Sequence, residues 1–147
     1  MKALAMLLVS AMFSCAAFGA EEAGSVKTAR GAVAIERDGQ KLPLTVGDKV
    51  FASDRVVTGA DSSVGITLRD NTLLSAGPNS VLSLDRFSFD ATTHAGAVDA
   101  TLKRGTLAVI SGKIAKADSN SVRFRTPTTT LGVRGTEFVI EVAGTEE

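Results

Sequence analysis

"SSVGITLRDNTLLSAGPNSVLSL", residues 62–84, decides the fold class. Val64, Ile66 and Leu68 share one parity and Gly65, Thr67 and Arg69 the other, the period of two expected of a half-buried strand. The strand ends on "RDNT", where Asp70 and Asn71 tolerate the left-handed backbone that a tight hairpin needs before "TLLS" continues. A glycine–proline turn, "AGPNS", follows, and "VLSL" then sets Leu82 and Leu84 on one face.

The same rhythm extends in both directions. "RFSFD" pairs Phe87 with Phe89, and further alternating runs occur at "GAVAIERDG", "GTLAVISG", "SVRFR" and "TEFVIEV". Turn residues recur at roughly eight to twelve positions, the spacing of all-β folds, and no run supports a helix of three turns. The expectation is an all-β domain of short strands, in a compact sandwich or a short β-solenoid-like stack, with no substantial helix after the leader. Residues 90–100, "DATTHAGAVDA", are small and polar and read as an exposed loop rather than a domain boundary.

The leader is the apolar run "ALAMLLVSAMF" after Lys2. It is too short to span a bilayer as a permanent helix and suits the h-region of a secretory signal peptide. Ala17 and Gly19 place small residues at −3 and −1 of a cut before Ala20, so residues 1–19 are expected to be removed and 20–147 to form a single domain in the periplasm. The alternative is a lipid anchor on Cys15, for which Met12 and Phe13 are poor upstream matches. Cleavage before Ala20 removes the only cysteine and Lys2, leaving 15 basic against 16 acidic residues. Disulfide and thiol chemistry are then excluded, and so balanced a charge implies neither nucleic acid nor an anionic membrane as partner. Beyond residue 20 no apolar run reaches the length of a membrane span.

"TPTTTLGVRGTEFVI", residues 126–140, is the irregular strand sequence. Val122 and Phe124 are even-numbered, Thr129, Leu131 and Val133 odd, and Phe138 and Ile140 even again. Two parity switches call for bends, so Gly132 and Gly135 are expected at corners, with Pro127 interrupting the ladder. Arg134 is read as a brace paired with Glu137 or a turn aspartate, and otherwise as an exposed anion hook.

That stretch resembles the signature of the FecR domain family. "VGDKVFASDRVVTGADSSVGITLRDNTLLSAGPNSVLSL" is similar to the family's central block, and "LKRGTLAVISGKI" to its intervening strands. The resemblance runs from about Gly24 to Val142 and implies an all-β extracytoplasmic domain, best known as the periplasmic sensing part of membrane-bound anti-sigma regulators. It marks Thr126, Pro127, Gly132, Arg134, Gly135, Thr136, Glu137 and Phe138 as signature residues, either structural or partner-binding. The regulators carry a cytoplasmic sigma-binding segment and a transmembrane helix before this domain, where here a signal peptide is expected, and the chain ends at "EVAGTEE" soon after the signature. The expectation is a stand-alone exported module rather than a regulator of iron uptake.

Enzyme chemistry finds little support. His94 is the one histidine, and although Asp90 or Asp99 could complete a triad, no serine sits in a nucleophile elbow. Neither a zinc ligand set nor a calcium loop is legible, so no metal or cofactor is expected. Asp48, Asp54, Asp61 and Asp70 all neighbour turns and are expected to bond turn amides. "GVRG" imitates a nucleic-acid clamp but lies among strand formers, and the absence of Trp and Tyr argues against a carbohydrate-stacking surface. The expected role is a non-enzymatic protein-binding or sensing module with an envelope protein as partner, which the sequence does not name and for which an outer-membrane receptor or regulator is one candidate. The alternative is a structural scaffold with no ligand of its own; an exposed strand edge serves either.

Overall fold

The computed structural model describes residues 21–133 and 137–143, so the expected leader with Cys15, and Arg134, Gly135 and Thr136 of the signature, lie outside the described residues. Twelve strands make one sheet: β1 (Glu22–Arg30), β2 (Val33–Arg37), β3 (Gln40–Pro43), β4 (Lys49–Phe51), β5 (Arg55–Thr58), β6 (Ser63–Leu68), β7 (Leu73–Ala76), β8 (Val81–Phe89), β9 (Gly96–Ile110), β10 (Val122–Arg125), β11 (Thr130–Gly132) and β12 (Glu137–Val142). The one α-helix described, α1 (Lys113–Ala117), has five residues. The protein is all-β, as the alternating runs predict.

Of the two arrangements left open by periodicity, the structure adopts neither a solenoid nor two separate sheets. The strand order is β3-β2-β5-β8-β9-β7-β6-β1-β4, with β10 and β12 on the other side of β9. β9 is the seam. Its first half pairs with β8 and β10, and its second half with β7 and β12. Gly105, at φ +92°, marks the change, beside a register shift where Val81 faces Arg104 and Leu82 faces Leu102. A Cβ there would come within 2.5 Å of the Ser80 Cα, so only glycine suits both the backbone and the space. The sheet therefore curls into an open half-barrel with one core. Val56, Leu82, Ala100 and Phe124 from one half join Val26, Ile66, Leu74 and Leu107 from the other.

Far from β9, the curl is held by the connection from β3 to β4. Leu44 is buried, its N–H donates to the Val33 carbonyl at 3.0 Å, and Gly47 N–H donates to the Val26 carbonyl at 2.9 Å. Arg37 completes that side. Its guanidinium donates from Nε and Nη2 to the two Asp54 carboxylate oxygens at 2.8 and 2.7 Å and lies 4.7 Å from the Phe51 ring centre. The hydrogen bond and charge of Asp54 raise the Arg37 pKa above its ordinary value, against the opposing effect of burial.

The central hairpins follow the sequence closely. Val64, Ile66, Leu68, Leu82 and Leu84 are all buried, Phe87 is buried, and Phe89 packs half-buried against the core. Asn71 takes the positive φ of the β6–β7 turn. The 90–100 segment is a correction: only residues 90–95 form a turn, and β9 begins at Gly96. Val98 and Ala100 are fully buried, and a Cβ on Gly96 would meet the Ser88 carbonyl, so the small residues are there for close packing rather than exposure.

Candidate functional site

The irregular stretch after β10 forms one wall of a cleft. At Arg125 the chain turns back through Pro127 and Thr128, with Thr126 N–H donating to the Thr129 carbonyl at 2.8 Å and Thr129 N–H to the Thr126 hydroxyl at 3.2 Å. Pro127 fits the second position of such a turn because its φ is preset and no N–H is required of it. β11 then lies antiparallel to β10, with Phe124 opposite Leu131. The first parity switch is thus a hairpin reversal rather than a bulge. Gly132 is a second correction: its φ is not positive, it pairs with Arg123, and nothing lies within 4 Å of where its Cβ would be. It is no corner. The second switch falls on Arg134, Gly135 and Thr136, which lie outside the described residues.

β12 forms the opposite wall, running antiparallel to the second half of β9. Phe138 points inward, and its ring meets the fully buried Phe124 edge-on at 5.4 Å, tying the two halves of the sheet together on the side where the curl stays open. Val139 points outward and is 67% exposed. Between the walls is a cleft of about 530 Å³ lined by Thr126, Pro127, Thr129, Leu131, Val139 and Val142, with Lys103 of β9 also on its surface. Among the described residues β11 pairs only with β10, and β12 only with β9. Each therefore leaves a backbone edge beside the cleft, carrying amide and carbonyl groups available to another strand.

Of the signature residues, the structure brings Thr126 and Pro127 to the cleft, directs Phe138 into the core, and leaves Glu137 exposed at the far end of β12. Lys103, Val139 and Val142 were not singled out from the sequence. Val139 carried a signal, a branched apolar residue at the outward parity of a strand. Of the turn aspartates, Asp48, Asp54 and Asp70 accept from the amides of Thr45, Phe51 and Thr72, while Asp61 takes a positive φ. His94 occupies the tight turn after Asp90, its ring stacked on Phe89 at 6.1 Å. The amides of Thr93 and Thr92 bond the Asp90 carboxylate and hold its pKa below the ordinary value, with His94 adding to the effect.

A family model described as "FecR protein" matches residues 54–147. The chain belongs to the FecR family. The match begins at Asp54, so β1 to β4 precede it, and it contains the signature hairpin, β12 and all of β9. A solved structure described as a cell surface anchoring domain is similar at 31% identity over 42% of this chain and 82% of that one, with a TM-score of 0.40. No curated protein matches the chain. No helix among the described residues of this FecR domain is long and apolar enough to cross a membrane.

Proposed function

We propose that this FecR domain is an exported, non-enzymatic recognition module of the cell envelope that receives an extended segment of a partner protein in the cleft between its signature hairpin and β12. The observation that carries the reading is the pair of strand edges, β11 and β12, flanking one cleft beside the family's own signature residues. Added strands gain affinity from main-chain hydrogen bonds and specificity from pockets for alternate side chains. Leu131, Val139 and Val142 supply apolar contacts here, and Lys103 and Glu141 give the described lining one charge of each sign to orient the incoming strand. The apolar run at residues 3–13, after Lys2, supports export to the periplasm.

The test is affinity capture from an envelope extract with the wild type beside Thr128→Arg and Lys103→Glu, two changes to lining residues that narrow the cleft or remove its one basic group among the described residues. A stoichiometric envelope protein retained by the wild type and lost by both variants is the expected result. Retention by all three, or association with cell-wall polymer alone, would replace recognition at the cleft with a scaffold role.

A further inference from the structure

The two outer faces of the curled sheet differ in chemistry. On the half formed by β3, β2, β5, β8, β9 and β10, one cross-strand row reads Lys41, Glu36, Arg55, Ser83, Thr101, Arg125, and another reads Arg86, Asp99, Arg123. Charge covers it. On the half formed by β12, β9, β7, β6, β1 and β4, the corresponding row reads Glu137, Ile110, Leu73, Thr67, Ser25, Lys49. The next reads Val139, Ala108, Ser75, Gly65, Thr28, with no charge at all. A third has Glu141 opposite Thr106 at one end and Arg30 opposite Ser63 at the other. Leu73, Ile110 and Val139 are 40%, 42% and 67% exposed, which makes them three of the most exposed large apolar side chains and places them side by side.

We propose that this second face binds a second copy of the chain, sheet against sheet, about a two-fold axis parallel to the strands. The pattern across the face is self-complementary only for that axis. Rotation about it reverses the strand order while keeping each residue's level along the strand, so the β12 edge of one copy lies over the β1–β4 edge of the other. Glu137 then faces Lys49. Leu73 and Ile110 of one copy face the smaller Thr67 and Ser25 of the other, with Val139 over the β4 edge, as interdigitating sheet faces require. A two-fold perpendicular to the strands would place acid on acid and large on large. Lys49 also meets Glu22 at 2.8 Å within its own chain, whereas Arg30 forms no ion pair with another described residue.

Size sets the strength. Six strands about 4.8 Å apart and about six residues long at about 3.3 Å give a face of roughly 500 Å² in plan. That is at the low end for a specific interface, so the dimer is reversible and concentration-dependent.

Sedimentation equilibrium of the purified protein over roughly 1–500 μM, a range matched to weak association, tests this directly. The expected result is an average mass that rises from one chain toward two, with Leu73→Lys and Val139→Lys each weakening association at least tenfold. Arg123→Glu, on the charged face, should leave it unchanged. Glu137→Lys should also weaken it about tenfold, and Glu137→Lys combined with Lys49→Glu should restore most of the loss, because the same contact is remade with reversed signs. Melting curves superimposable on the wild type establish that each variant is folded; these positions are exposed, so that is the expected outcome. A single-chain mass across the whole range, or variants of Leu73 and Val139 that associate like the wild type, would overturn the proposal. Failure of the double charge reversal to recover association would overturn the parallel axis. Val139 also lines the cleft, but Leu73 does not, and Thr128 and Lys103 are cleft residues that do not belong to this face, so the Leu73 variant separates failure of the dimer from failure of the cleft reading.

Discussion

Arg37 and Asp54 share one ion pair but not one environment. The Asp54 side chain is 2% exposed and that of Arg37 33%, so removing either partner strands a different charge. Arg37→Met leaves a carboxylate buried with the Phe51 amide at 2.7 Å as its remaining donor, and should cost about 3–5 kcal/mol. Asp54→Ala frees a guanidinium that can turn toward water, so its cost should be nearer 2 kcal/mol. Urea denaturation of both variants measures the difference; equal losses would mean that the pair acts through packing on Phe51 alone. The lowered pKa of Asp90 has a sign that can be checked. A carboxylate held below its ordinary value of 3.8 favours the turn above that pH, and the contribution is lost as pH falls through the lower, folded value. The Thr92 and Thr93 amide resonances should titrate with a midpoint below 3.8, and a midpoint at or above it would remove the hydrogen bonds from the explanation.

At the scale of elements, the two glycines read differently in sequence and in structure. Gly105 lies in "LKRGTLAVISG", where the inward parity changes between Leu102 and Leu107, a switch missed among the alternating runs, and its φ of +92° and the nearness of Ser80 make it the residue on which β9 turns. Gly105→Val should destabilise by more than about 2 kcal/mol, whereas Gly132→Ala, in open space, should stay within about 0.5 kcal/mol. Thermal melts of the two variants decide it, and a reversed order would contradict the seam. The hairpins of residues 62–84 were legible because each strand alternates cleanly and each turn carries its own chemistry. β1 was not, because Ala23, Gly24 and a register shift between Val26 and Thr28 break the alternation, and its buried residues are Ala23, Gly24 and Val26. The two-strand reversal after Arg125 was legible as an interruption but not as a hairpin, since parity reports that the inward face changes and not how. Asp70 shows what spacing cannot reveal. Fully buried, it accepts from Thr72 N–H at 3.1 Å, the Thr72 hydroxyl at 2.8 Å and Ile114 N–H at 3.3 Å, joining the β6–β7 turn to α1 some forty residues on.

For the whole molecule, the curl has one side closed by the β3–β4 connection and one side left open between β11 and β12. Phe124 and Phe138 are what keep the open side together, so Phe124→Ala should cost about 3–5 kcal/mol and the half-buried Phe138 less. The walls of the cleft, β11 and β12, are neighbours along the chain, but the alternation does not report that one is carried by the first half of β9 through β10 and the other pairs with the second half, so the space between them was beyond reach of the sequence. The central claim is that this cleft is where a partner binds. Site-specific photo-crosslinking in intact cells, with a benzophenone side chain at Thr128, at Lys103 or, as a control, at Thr92 in the distant turn, tests it most directly. The account predicts one discrete protein adduct from Thr128 and Lys103 and none from Thr92. An adduct from Thr92 with none from either cleft position would contradict it.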